Sequence, residues 1–249
     1  MTLMTMAILA GGLLLIVAVA RFLTKPNEYP EIDLAEIDRE ELFQVGERLL
    51  RESESWSAEL TDRSVILASS LEPYIVRAVR YEVEVEADFD AVVAYVRGLS
   101  YCPVQRRETD DKIEEMLYEK STGSTSHEWI RRSVHVSPPP GTNRDAVVVY
   151  FEERPDAKTY RVAFRSVDSI DGKAIPPFEG AARFIVNPAI YKAEETAPGK
   201  ARIIKVEAVD PRGSVGAVLN NYFVSLFFFR RYMFDEAKAM RDALLGEQA

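Results

Sequence analysis

Two histidines and one cysteine are all the imidazole and thiol chemistry in this chain. His127 and His135 lie eight residues apart with Trp129 between them, which is not the spacing that brings two imidazoles to one metal on a helix. Cys102 alone can neither close a disulfide nor build a thiolate cluster, and it reads as a small buried hydrophobe. His135, Glu152 and Tyr150 form no acid–base set at a readable spacing, and no cofactor motif is present. The remaining chemistry is non-covalent. After the turn Asp210-Pro211-Arg212-Gly213, helical spacing groups Val218, Tyr222, Ser225, Phe229 and Met233 on one face. Such a face buries apolar area, and the hydroxyls of Tyr222 and Ser225 could bond one polar group held against it. Ordinary core packing gives the same pattern, so periodicity alone leaves both readings open.

The elements that must position this face follow from the hydrophobic period. Leu34 to Glu54 predicts a helix capped by Asp33, with acids early and Arg48 and Arg51 late. Asp88 caps a second, short helix to Leu99. Runs of β-branched and aromatic residues predict strands over Arg63–Ser69, Tyr74–Val85, Lys112–Lys120, Ser126–Val136, Ala146–Glu153, Thr159–Val167, Ala181–Tyr191 and Lys200–Val209. A last helix runs to Leu245. In it Phe227, Phe228 and Phe229 are consecutive and point about 100° apart, so no single face buries all three. Many antiparallel strands with helices at the ends predict an α+β fold, one curved antiparallel sheet wrapped around the long C-terminal helix. Phe227, Phe228 and Phe234 fall partly off the inner stripe. Beside Arg230 and Arg231 they read either as a membrane-touching edge or as contacts with the N-terminal helix or a second sheet edge.

Composition excludes some partners. The chain has 249 residues, 47% hydrophobic and 29% charged, with a formal charge of -9. An acidic chain without a dense basic run does not suit nucleic acid. Arg106-Arg107, Arg131-Arg132 and Arg230-Arg231 are isolated pairs, read as solvated faces.

The N-terminus has a different character. Met1 to Ala20 carries no charge and is rich in Leu, Ile and Val, long enough at ~1.5 Å per residue to span ~30 Å of hydrocarbon. No Lys or Arg precedes it, so residues 1–23 read as an uncleaved single-pass transmembrane anchor rather than a cleaved signal, although Ala18-Val19-Ala20 fits a cleavage site. Arg21 and Lys25 favour a cytoplasmic domain after it, but an acidic stretch follows at once and the side stays open. Residues 24–33, with Pro26 and Pro30, read as a linker, and 34–249 as one domain.

Three loops add a more specific signal. Ser133 to Asp145 holds Pro138-Pro139-Pro140 and ends in Arg144-Asp145 before a strand. Ile175 to Phe184 holds Pro176-Pro177, Gly180 and Arg183. Val206 to Val215 holds Asp210 and Gly213, with Asn221 at the helix head. In order and spacing these resemble the START domain family of lipid-transfer domains with the helix-grip fold. Gly216 stands where the family usually has a Pro, and Val218 where a Trp is common. The resemblance implies an apolar cavity between sheet and C-terminal helix, a lipid or sterol ligand, a membrane as donor or acceptor, and the helix as lid. It makes the helix face above, from Val218 to Met233, the ligand-binding stripe, with Phe184 and Tyr150 from the strands and Glu152, Phe164 and Ile203 behind them. Arg144, Asp145, Arg183, Asp210, Gly213 and Asn221 are expected to fix strand ends and turns rather than touch ligand. An enzyme of the same fold and a scaffold with a filled cavity are the alternatives.

Overall fold

The computed structural model describes residues 31–62, 65–69, 78–101, 106–108, 112–121, 126–135, 143–210 and 229–246. The Met1–Ala20 segment lies outside them. Among the described residues no helix is long and apolar enough to cross a membrane.

The first predicted helix is split. Asp33 caps only a 3-10 turn, Leu34–Glu36, and accepts from Ala35 N at 2.9 Å. Ile37 and Asp38 are extended, and Asp38 caps the helix proper, α1 (Arg39–Ser53), by accepting from Glu41 N. The second helix, α2 (Phe89–Ser100), starts at its expected cap: Asp88 accepts from Asp90 N and Ala91 N.

One mainly antiparallel sheet carries most of the rest. Its strands are β1 (Ala58–Asp62), β2 (Val65–Ser69), β3 (Val79–Val85), β4 (Arg106–Glu108), β5 (Lys112–Ser121), β6 (Ser126–His135), β7 (Asn143–Asp156) and β8 (Thr159–Ser166). After the small hairpin of β9 (Ser169–Ile170) and β10 (Lys173–Ala174) come β11 (Ala181–Arg183), β12 (Ile185–Val186), β13 (Ala189–Ala197), β14 (Lys200–Glu207) and β15 (Val209–Asp210). The order across the sheet is β1-β2-β3-β14-β13-β8-β7-β6-β5-β4. The predicted strand Ala181–Tyr191 is therefore three strands. β11 runs parallel beside the start of β7, β12 pairs with β15, and Asn187-Pro188 separates them from β13.

Both faces of the middle strands are covered. The outer face packs under α1, where Leu42, Phe43, Leu49 and Leu50 meet Val147, Val149, Ile190 and Val206. Gly46 allows this approach, because a Cβ there would stand 2.9 Å from Ile190 Cδ1. The inner face packs against α2, through Phe89, Val92 and Val96, and against the last helix, α3 (Phe229–Leu244). This two-sided burial explains the unbroken apolar run Ala146 to Phe151 of β7. In α3 the spacing of Met233, Phe234, Ala237 and Met240 makes one buried face. Phe234 is therefore covered by protein. Phe227 and Phe228 lie outside the described residues. An α+β fold, an antiparallel sheet with a C-terminal helix packed on its inner face, is thus present.

Candidate ligand-binding cavity

Between the inner face of the sheet, α2 and α3 lies a hollow of about 330 Å³. Its floor holds three stacked rings, Tyr150, Phe164 and Tyr191 of β7, β8 and β13, and Trp129 of β6 continues the stack beyond it. Trp129 stacks on Tyr150 with ring centroids 5.5 Å apart, Tyr150 on Phe164 at 5.4 Å and Phe164 on Tyr191 at 5.4 Å. Register places these rings, since Trp129 faces Tyr150, Tyr150 faces Phe164, and Tyr191 is diagonal to Phe164. Ala146, Val148, Val186 and Met233 complete the apolar wall.

Two groups of charged side chains meet at this hollow, with Lys112, Arg131, Lys205, Glu207 and Glu236 on its wall and Glu114 buried beside Arg131. At the β5–β7 end, Arg131 donates to Glu114 Oε1 at 3.0 Å, to the Leu99 carbonyl at 2.9 Å and to the Tyr150 hydroxyl at 3.3 Å. Lys112 Nζ lies 2.8 Å from the same Glu114 oxygen. Arg131 is 8% exposed and Glu114 2%, so water does little of the solvation. Burial opposes the guanidinium charge, but the Tyr150 hydroxyl and Glu114 outweigh it and hold Arg131 above the usual arginine range. Its Nε–H is buried without an acceptor among the described residues.

At the other end, Lys205 Nζ sits 2.7 Å from Glu207 and 3.6 Å from Glu236 of α3. It is wedged between the rings of Tyr81 and Tyr191, 5.6 and 5.0 Å from their centroids. Burial would lower the lysine, but Glu207 and Glu236 outweigh it and hold the ammonium well above its ordinary value. Burial pushes the Glu207 carboxyl up in spite of Lys205.

Of the candidate ligand residues, Tyr150, Phe184, Phe164 and Met233 line the hollow. Ile203 is buried core. Glu152 points inward elsewhere, beneath α2. It accepts from the Tyr160 hydroxyl at 2.6 Å and lies 3.3 Å from Arg97, beside His127. His127 Nδ1 faces Arg97 at 2.7 Å and Nε2 faces Glu119 at 2.8 Å, which ties α2 to the sheet. Val218, Tyr222 and Ser225 lie outside the described residues, as does the side chain of Phe229.

The motif residues hold strand ends. Asp145, fully buried, accepts from Phe178 N at 2.9 Å and Arg183 Nε at 3.1 Å, and Arg132 approaches its other oxygen at 3.5 Å. Arg183 also donates to the Ile175 carbonyl. This clamp joins β6, β7, β11 and the Pro176-Pro177 loop. Asp210 is buried at the β12–β15 pair, and burial lowers the Arg144 guanidinium. Gly213 and Asn221 lie outside the described residues.

The reading of Arg131-Arg132 as a solvated pair is corrected. Neighbours on a strand point to opposite faces, so Arg131 enters the hollow while Arg132 joins Glu115 and Asp145 on the other side. Lys112, Glu114, Lys205, Glu207 and Glu236 were also not singled out by sequence. In Lys205-Val206-Glu207 the apolar Val206 serves the α1 face and the two charges face the hollow.

No family model and no curated protein matches the chain in sequence. Solved structures do resemble it. The human StarD13 (DLC2) lipid transfer and protein localization domain superposes with a TM-score of 0.56 at 18% identity, over 84% of this chain and 98% of that one. Human STARD10 gives 0.58 at 16% identity, over 88% and 82%. A STAR-related lipid transfer protein fragment from Xanthomonas axonopodis gives 0.52 at 20% identity, over 76% and 98%. The aromatic-floored hollow under a C-terminal helix therefore belongs to a chain with the START-like, helix-grip fold.

Proposed function

We propose that this protein binds one hydrophobic ligand, a lipid or sterol with a polar head, in the hollow and presents it at a membrane. The observation that carries this is a cavity of about 330 Å³ with an aromatic floor and a buried Arg131–Glu114 pair at one end. Enclosing ~500 Å² of apolar ligand at ~25 cal/mol per Å² supplies on the order of 12 kcal/mol before ordering costs. The polar head would meet Arg131, whose buried Nε–H gains an acceptor. The START-like neighbours named as lipid-transfer proteins support the same class of ligand. Met1–Ala20 would tether the domain and raise the effective concentration of donor membrane. The test is solvent extraction of the purified full chain followed by mass spectrometry, beside a Val148→Trp variant that fills the hollow. Co-purifying lipid that disappears in the variant is the expected result. If extraction finds no lipid and the wild-type chain takes none up from vesicles, the proposal fails.

An enzyme acting on a hydrophobic substrate is the second reading, favoured by the ionisable groups in the hollow. Against it, Glu114 and Glu207 each have a cation within 3.0 Å, which suits ion pairing more than proton transfer. Turnover of a bound ligand into a new mass would favour the enzyme. The size of the hollow argues against a scaffold with a filled cavity.

A further inference from the structure

The hollow has two polar ends of opposite character, and the second is not needed to hold a single head group. Among the described residues, the β5–β6 end gathers two cations, Arg131 and Lys112, around one carboxylate, Glu114. The other end gathers two carboxylates, Glu207 and Glu236, around one cation, Lys205. The strand order β14-β13-β8-β7-β6 separates Lys205 from Arg131 by four strand spacings of ~4.8 Å, about 19 Å along the curved sheet. Between them the wall is Val148, Phe164, Val186 and the faces of Tyr150 and Tyr191.

Glu236 is the more loosely matched and the more hydrated member, its side chain 28% exposed against 8% for Lys205 and Glu207. Lys205 Nζ gives its close contact to Glu207 at 2.7 Å and stands 3.6 Å from Glu236. The Tyr81 hydroxyl donates to the same Glu236 oxygen over a long 3.5 Å. A ligand ending in bare hydrocarbon would strip water from this carboxylate and return nothing. A ligand ending in a hydrogen-bond donor would meet it with a charge-assisted bond.

We propose, resting on the lipid-cavity reading above, that the ligand is an amphiphile polar at both ends. An acidic or acceptor head lies at Arg131 and Lys112, and a hydroxyl or amine donor lies at Glu236 beside Lys205. An apolar span no longer than that strand separation joins them.

Two probes isolate the second end, hexadecanoic acid and ω-hydroxyhexadecanoic acid, which differ only in the far hydroxyl. Titration calorimetry on the full-length protein should give at least tenfold tighter binding of the hydroxy acid. In Glu236→Ala the ratio should fall below twofold. In Lys238→Ala, which alters α3 at its ion pair with Asp62 instead, the ratio should persist. Equal affinities in the wild type, or a ratio retained in Glu236→Ala, would overturn the second pole while leaving a lipid cavity in place. Binding of neither probe would also overturn it, and vesicle uptake then decides separately whether the cavity takes lipid at all.

Discussion

Lys205 and Glu207 occupy alternate positions on one strand and share a contact of 2.7 Å in a buried setting. Removing one partner of such a pair leaves the other charge without compensation. Lys205→Met should therefore cost about 3–5 kcal/mol at neutral pH, read from urea unfolding. The pH dependence has a definite sign. Burial already raises the Glu207 carboxyl, and losing the ammonium raises it further. A carboxyl raised in the folded state adds stability at low pH that is lost as pH rises. The deficit of the variant should therefore shrink toward and below the ordinary glutamate range. A pH-independent deficit would contradict the pairing. The opposite sign holds at Asp33, whose carboxyl is lowered by hydrogen bonds from Ser169, Ala35 N and Gly172 N. Its contribution is present at neutral pH and lost as pH falls below the usual carboxylate range, and Asp33→Asn should flatten that acid limb.

At the scale of elements, helix α1 depends on close approach to the sheet. Gly46→Val would drive a branched side chain into Ile190, already 2.9 Å from an added Cβ. Overpacking of this kind costs about 1–3 kcal/mol, and a shifted denaturation midpoint would show it. Helix α3 is held near its C-terminal end by Lys238 to Asp62 at 2.8 Å, with Arg241 at 4.0 Å. Asp62→Ala should speed amide hydrogen exchange in α3 and leave α1 unchanged. Most elements were legible in sequence because local pattern dictates them. Asp88 announced α2, and the alternation in Tyr81 to Val85 announced β3. The break between β11 and β13 was not legible, because Ile185-Val186 looks like continuous strand until the partner β15 is known. Inward charges were hidden for a related reason. Where both faces of a sheet are buried, alternation does not tell which face carries the polar residues. Only register shows that Arg131, Lys205 and Glu207 face one hollow.

The described residues join one large sheet, a helix pack on each of its faces and a hollow between sheet and α3. Its three Pro-and-Gly loops were readable as a set, and the Asp145–Arg183 clamp explains the residues of two of them. The described part of the ligand stripe is Met233, and its partners across the hollow come from strands far away in sequence. The proposed function requires that hollow to take up a hydrophobic molecule. Native mass spectrometry of the full chain after incubation with mixed-lipid vesicles tests it most directly. One lipid per chain, retained after the vesicles are removed and lost in Val148→Trp, is the predicted result. A wild-type chain that keeps its apo mass at every lipid concentration would contradict it.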